Sequence, residues 1–123
     1  MNIEPKLPTG KGPAEWFTGD VWMDVLAARK PEPSRMCVNL VRFAPGARTA
    51  WHSHPGGQTL HVTQGVAWMG LRNGTVLEVP AGQTVHTPPG EEHWHGAPAR
   101  TTSWSTSRCG RRPPTAVPNG ANM

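Results

Sequence analysis

The sequence predicts an all-β protein, a sandwich or barrel of short strands. Three observations carry this reading. Gly and Pro supply 14 residues each of the 123, so turns are frequent. Runs rich in β-branched and aromatic residues recur every eight to twelve residues between those turns. No stretch shows the 3.6-residue apolar period of an amphipathic helix.

The elements follow in order. Residues 1–19 are rich in Pro and Gly and are expected to wrap as an N-terminal arm. VWMDVLAA (21–28) reads as a strand or an apolar arm. PEPS (31–34) is a turn, and RMCVNLVRF (35–43) is a strand bounded by turn signals on both sides. After the APGA turn come TAWHSH (49–54), a PGG bend and QTLHVT (58–63). Asn73-Gly74 marks a hairpin joining GVAWMGL (65–71) to TVLEV (75–79). TVHTP (84–88) and HWHGA (93–97) complete the clear strands. The expected organisation is the arm at 1–19, one barrel domain at 20–107 and a disordered basic tail at 108–123.

Composition narrows the partners. Residues 1–99 hold eight acidic and eight basic residues, and the net charge of +4 comes from Arg100, Arg108, Arg111 and Arg112. No groove-reading motif or aromatic platform accompanies these arginines, so no nucleic-acid partner is expected. No apolar run approaches the roughly 20 residues that span a bilayer, so no membrane partner is expected either. The N-terminus lacks the apolar core of a signal peptide, and Cys37 and Cys109 do not make a disulfide framework. A cytoplasmic location is the corresponding expectation.

The six histidines carry the chemistry. Strand residues two apart share a face, so His52 and His54 point one way together, as do His93 and His95. Gln58, Leu60 and Val62 share a face, which puts His61 on the other. One interior can therefore receive His52, His54, Gln58, His93 and His95, while His61 and His86 are expected at the surface or an edge. Imidazoles gathered inside a domain suit a divalent metal better than they suit a core. Leu60, Val62, Val66 and Trp68 are expected to offer apolar walls, with either face of residues 35–43 inward.

These residues resemble a family. The pattern G-x5-H-x-H-x3-(E/Q)-x6-G runs from Gly46 through His52, His54 and Gln58 to Gly65, and is the first cupin motif. The second, G-x5-P-x-G-x2-H-x3-(N/G), runs from Gly82 through Pro88, Gly90 and His93, with Ala97 departing at the last position. The resemblance implies a cupin double-stranded β-helix, or jelly-roll barrel. More narrowly, GKGPAEWFTG (10–19), residues 45–65 and PGEEHWHGA (89–97) resemble small bacterial cupins with manganese-dependent (R)-selective hydroxynitrile lyase activity, in which glutamine replaces the usual glutamate. That resemblance implies metal-ligand roles for His52, His54, Gln58 and His93, and pocket roles for Thr49 and His95, the two catalytic candidates.

Three imidazoles and a carboxamide are neutral and leave a divalent ion its full +2 charge, which favours anionic ligands such as alkoxide or cyanide. Mn2+ is implied by the resemblance, and Fe2+, Ni2+ and Zn2+ suit the same donors. The expected function is a metal-dependent lyase cleaving and forming cyanohydrins, with a cyanohydrin or carbonyl compound as small-molecule substrate, in a homo-oligomer. The alternatives are an iron-dependent dioxygenase or oxidoreductase and a metal- or ligand-binding cupin without turnover.

The resemblance ends near Thr102. Its members continue with an apolar strand bearing a histidine, whereas this chain reads SWSTSRCGRRPPTAVPNGANM. With TCN serine codons, the frame begun at the third base of Ser103 encodes an alternating strand with a possible histidine at its third position. The coding sequence is therefore expected to be frameshifted after about Ser103, leaving the last barrel strand missing or altered and a candidate base absent.

Overall fold

The computed structural model describes residues 1–109. Of the tail expected at 108–123, residues 110–123 lie outside the described residues. Ten strands form among the described residues: β1 (Gly10–Lys11), β2 (Phe17–Thr18), β3 (Val21–Ala27), β4 (Cys37–Phe43), β5 (Arg48–Thr49), β6 (Gln58–Leu71), β7 (Val76–Pro80), β8 (Thr84–Thr87), β9 (His93–Gly96) and β10 (Ser103–Cys109). They join in the order β1-β3-β4-β10-β6-β9-β5-β2, with β7 and β8 also paired to β6. All pairings are antiparallel. Among the described residues no helix is long and apolar enough to cross a membrane.

Strand β6 is the spine. Its first half pairs with β8 and β10, and its second half with β7 and β9. The two runs read as separate strands at 58–63 and 65–71 are thus one strand with a defect inside it. Trp104 pairs with Gln64 and Ser105 with Val62, so Thr63 is an extra residue on the β6 side. Its hydroxyl donates to the Trp104 carbonyl at 3.0 Å. One extra residue reverses the faces of everything beyond it. Gln58, Leu60 and Val62 point inward before the bulge, and Ala67 and Met69 after it. Gly65 completes the bend at φ +75, where a Cβ would lie 2.0 Å from the Thr102 carbonyl oxygen. Val66 and Trp68, expected as apolar walls, therefore face outward, Trp68 with 37% of its surface exposed.

The chain does not lose its last strand. Ser103–Cys109 runs between β4 and β6, bonded to both, and extends two residues into the segment assigned to the tail. Ser103, Ser105 and Ser107 are buried, and Trp104, Thr106 and Arg108 face outward. The alternation of a strand is present, with serine in place of an apolar residue. Backbone bonding to two neighbours supplies what the side chains do not.

On β4 the inward face is the one with Cys37, Asn39, Val41 and Phe43. Val41 and Phe43 join Phe17, Val21, Ala47 and Ala97 in one apolar core cluster, and Leu60, Val62, Ala67, Met69 and Val79 form a second. Each fully buried Leu or Val contributes about 1.5–3 kcal/mol.

Candidate metal centre

Two segments bring the histidines together. The backbones of His52 and His93 form an isolated bridge in which each N–H donates to the other's carbonyl at 2.9 Å. The first motif is thereby fastened to β9 at the ligand positions themselves. Gly57, at φ +78, turns the chain back after His54, its N–H donating to the His54 carbonyl at 3.0 Å, so that Gln58 enters β6 facing inward.

Strand parity accounts for His93 and His95, which point inward from β9; His52 and His54 are also buried, but the strand expected at 49–54 stops at Thr49, and His52 is held only by its isolated bridge to His93. The rings of His93 and His95 stack at 5.8 Å with 19° between planes, and those of His52 and His54 meet edge-on at 5.0 Å. Ring nitrogens of His52, His93 and His95 lie within 4.8 Å of one another. His54 packs against His52 and His93, and Gln58 Oε1 lies 3.2 Å from His93 Nε2. The structure thus gathers all five expected interior residues, but the mutually close triad is completed by His95 and not by the expected ligand His54. His61 and His86 lie outside it, each with Nδ1 against a threonine hydroxyl, at 2.8 Å from Thr84 and 3.0 Å from Thr59 respectively.

Tautomers follow from the second partners. His52 Nδ1 lies 2.8 Å from the Ala50 carbonyl and His93 Nδ1 lies 3.0 Å from the Glu91 carbonyl. A carbonyl only accepts, so each Nδ1 donates and each Nε2 carries a lone pair. His52 Nε2 is buried and makes no hydrogen bond, and His93 Nε2 faces another acceptor in Gln58 Oε1. Lone pairs aimed at one another in a buried space are poorly satisfied by protein alone and are the arrangement a cation completes.

Burial keeps these rings neutral. It pushes His52 down to about 3, reinforced by the neighbouring His93 and His54 and opposed by the Ala50 carbonyl. Burial also lowers His93, opposed by the carbonyl and carboxylate of Glu91. His95 falls well below its ordinary value, first through burial and then through His52, His93 and His54. Its Nε2 is buried without a hydrogen bond. The Thr49 hydroxyl accepts from the His95 backbone N–H at 3.1 Å, which fixes the strand carrying the ring, and Phe43 packs edge-on against that ring at 5.6 Å.

Beside the cluster lies a cavity of about 280 Å3, lined by His54, Gln58 and His95 and walled by Trp16, Phe17, Met23, Val25 and Val41. Arg29, Asn39 and Ser107 also face it. Trp16 and Phe17 enter the sequence reading only inside the GKGPAEWFTG stretch, with no role, and Arg29 does not enter it as a site residue. The available signals were two adjacent aromatics in a Pro/Gly-rich arm and one arginine ending an apolar run.

Residues 39–103 match the Cupin domain family. The chain is 52% identical over 93 residues to an (R)-mandelonitrile lyase from Granulicella tundricola, covering 76% of this chain and 70% of that protein. Among solved structures, a cupin-like protein from Thermotoga maritima matches at 36% identity and TM-score 0.78, over 89% of this chain and 80% of that one. A polyketide cyclase from Streptomyces resistomycificus shares the fold at 23% identity and TM-score 0.68, over 80% and 70%. The paired motifs, the inward histidines on a curled antiparallel sheet and these likenesses agree: the chain belongs to the cupin family.

Proposed function

We propose that the protein is a metal-dependent lyase that cleaves and forms cyanohydrins, with His52, His54, Gln58 and His93 as metal ligands and His95 as the group that moves the proton. The observation that carries this reading is the set of neutral, inward-aimed imidazoles opening on a largely apolar cavity. Likeness to a mandelonitrile lyase supports the substrate class. A divalent ion, Mn2+ by family resemblance, would supply Lewis acidity for the oxygen and cyanide as they gain negative charge.

The chain's own residues do the rest. The cavity walls hold the organic part of the substrate away from water. Neutral His95 takes the hydroxyl proton through its free Nε2, the C–O bond becomes a carbonyl, and the C–CN electron pair leaves with cyanide. The proton then passes from His95 to cyanide, which departs as hydrogen cyanide. Thr49 acts on this step only by positioning His95. We assign the working form to a cytoplasmic homo-oligomer; exposed Trp68, Val76 and Leu77 on β6 and β7 are the apolar surface that supports association.

Metal analysis combined with turnover tests the reading. Manganese at stoichiometric content with release of benzaldehyde from mandelonitrile supports it. Iron with oxygen consumption overturns it in favour of a dioxygenase. A second reading, metal binding without turnover, is favoured by β10, which turns Ser103, Ser105 and Ser107 inward and thus no strong acid or base. Bound metal with no benzaldehyde release would select it.

A further inference from the structure

Among the described residues, Arg29 is the one formally charged side chain lining the cavity beside the histidines; the other polar groups there are His54, His95, Gln58, Asn39, Ser107 and Cys37. Its side chain is half-buried. Lys11, Lys30, Arg35, Arg42 and Arg72 each pair with a carboxylate, whereas among the described residues none lies within 4.0 Å of Arg29. It donates from Nη1 to the Arg35 carbonyl at 2.6 Å and from Nη2 to Cys37 Sγ at 3.2 Å. A guanidinium has five N–H donors in a planar fork. Two are used, both on groups that do not balance its charge as a carboxylate would, and both contacts hold the fork in place at the cavity wall. A positioned, partly desolvated cation without a counter-ion is a recognition point for a planar anion.

We propose that Arg29 is a specificity-determining residue, and that the cavity takes a carbonyl-class substrate bearing a carboxylate. The carboxylate docks on the guanidinium and the apolar body lies against Trp16, Phe17, Val25 and Val41. The inference rests on the proposed lyase reading in one respect, that the reacting carbon faces the histidines.

Calorimetric binding of benzaldehyde, 3-carboxybenzaldehyde and 4-carboxybenzaldehyde to the purified full chain tests this. The two acids differ in the separation between aldehyde and carboxylate. At least one acid binds about tenfold tighter than benzaldehyde. Arg29→Gln abolishes that advantage and leaves benzaldehyde affinity unchanged. Equal binding of all three to the parent overturns the proposal. So does an advantage that persists in Arg29→Gln, because the histidine site would then be reading the carboxylate. If Arg29→Gln weakens benzaldehyde as well, Arg29→Lys decides. A retained carboxylate advantage supports charge recognition, and its loss makes Arg29 a residue of the scaffold. The measurement needs no turnover, so failure of mandelonitrile cleavage removes the lyase reading without deciding this one.

Discussion

Strands β9 and β10 both pair with β6, and both turn alternate residues into the barrel. They do so with opposite chemistry. β9 sends in His93 and His95, whose rings stack and whose burial holds them neutral. β10 sends in Ser103, Ser105 and Ser107, and the Ser103 hydroxyl is buried without a hydrogen bond. The inward direction in both strands comes from backbone pairing and the two-residue period. What the barrel can do with those positions comes from residue identity alone. β10 shows that a jelly-roll strand tolerates small polar residues inside when both of its edges are bonded. β9 shows what the same geometry offers when imidazoles occupy it.

The sharpest test removes the chemistry from one strand and then from the other. His93→Ala, or His52→Ala across the bridge, is expected to remove most of the bound metal, whereas Ser105→Ala leaves it stoichiometric. Elemental analysis of the purified variants reads both, and full metal in the two histidine variants would dissolve the assigned ligand set. The next test gives β10 what β9 has. Ser105→His places an imidazole on the inward face, at the position where the shifted reading frame allows histidine. Mandelonitrile turnover is expected to rise by about 10²-fold, the lower end of general-base catalysis. An unchanged rate in a variant with the parent's thermal midpoint would show that β10 faces no reacting atom.

Protons discriminate between the histidine cluster and β10 without any substitution, since serine does not titrate in the working range. An unfolded histidine takes up a proton near pH 6.5, while native His52 resists until about 3. The unfolded state therefore binds more protons between those values, and stability must fall as pH is lowered through that window. His52 is expected to cost on the order of 1.4 kcal/mol per pH unit there. Denaturant melts of chelated protein between pH 7 and pH 4 check this, and a flat profile would mean that water or a counter-ion reaches the rings. The smallest effect belongs to β10: Ser103→Ala removes a buried, unbonded hydroxyl and is expected to stabilise by about 1 kcal/mol, a rise of roughly 4 °C in Tm at this size.

The site was more legible in the sequence than the strands around it. Gln58 and the HxH at 93–95 follow from parity because each lies in a short, unbroken strand, whereas the HxH at 52–54 turns inward from a non-strand segment pinned by the His52–His93 bridge. Parity failed across residues 63–65, where the bulge is a property of the pairing with Trp104 and leaves no composition signal except Gly65. That is why Val66 and Trp68 were assigned to the wrong face. The last strand, expected as missing or altered, is present in altered form. Expecting apolar residues inside hid the alternation of serine with Trp104, Thr106 and Arg108. Arg29 and Trp16 reach the cavity through contacts between distant segments, which a period along one strand cannot reveal.

The reciprocal bridge between His52 and His93 sets how the centre responds to ions. Because main-chain bonds fix the spacing of these two side chains, the proposed ligands are spaced by the backbone itself, and binding an ion there would order little additional chain. The heat-capacity change of loading is then small, unlike that of a metal finger whose binding energy is also its folding energy. On the proposed ligand set, different divalent ions would bind one unchanged scaffold, so the ion recovered with the protein would report the supply it met as well as the preference of its donors.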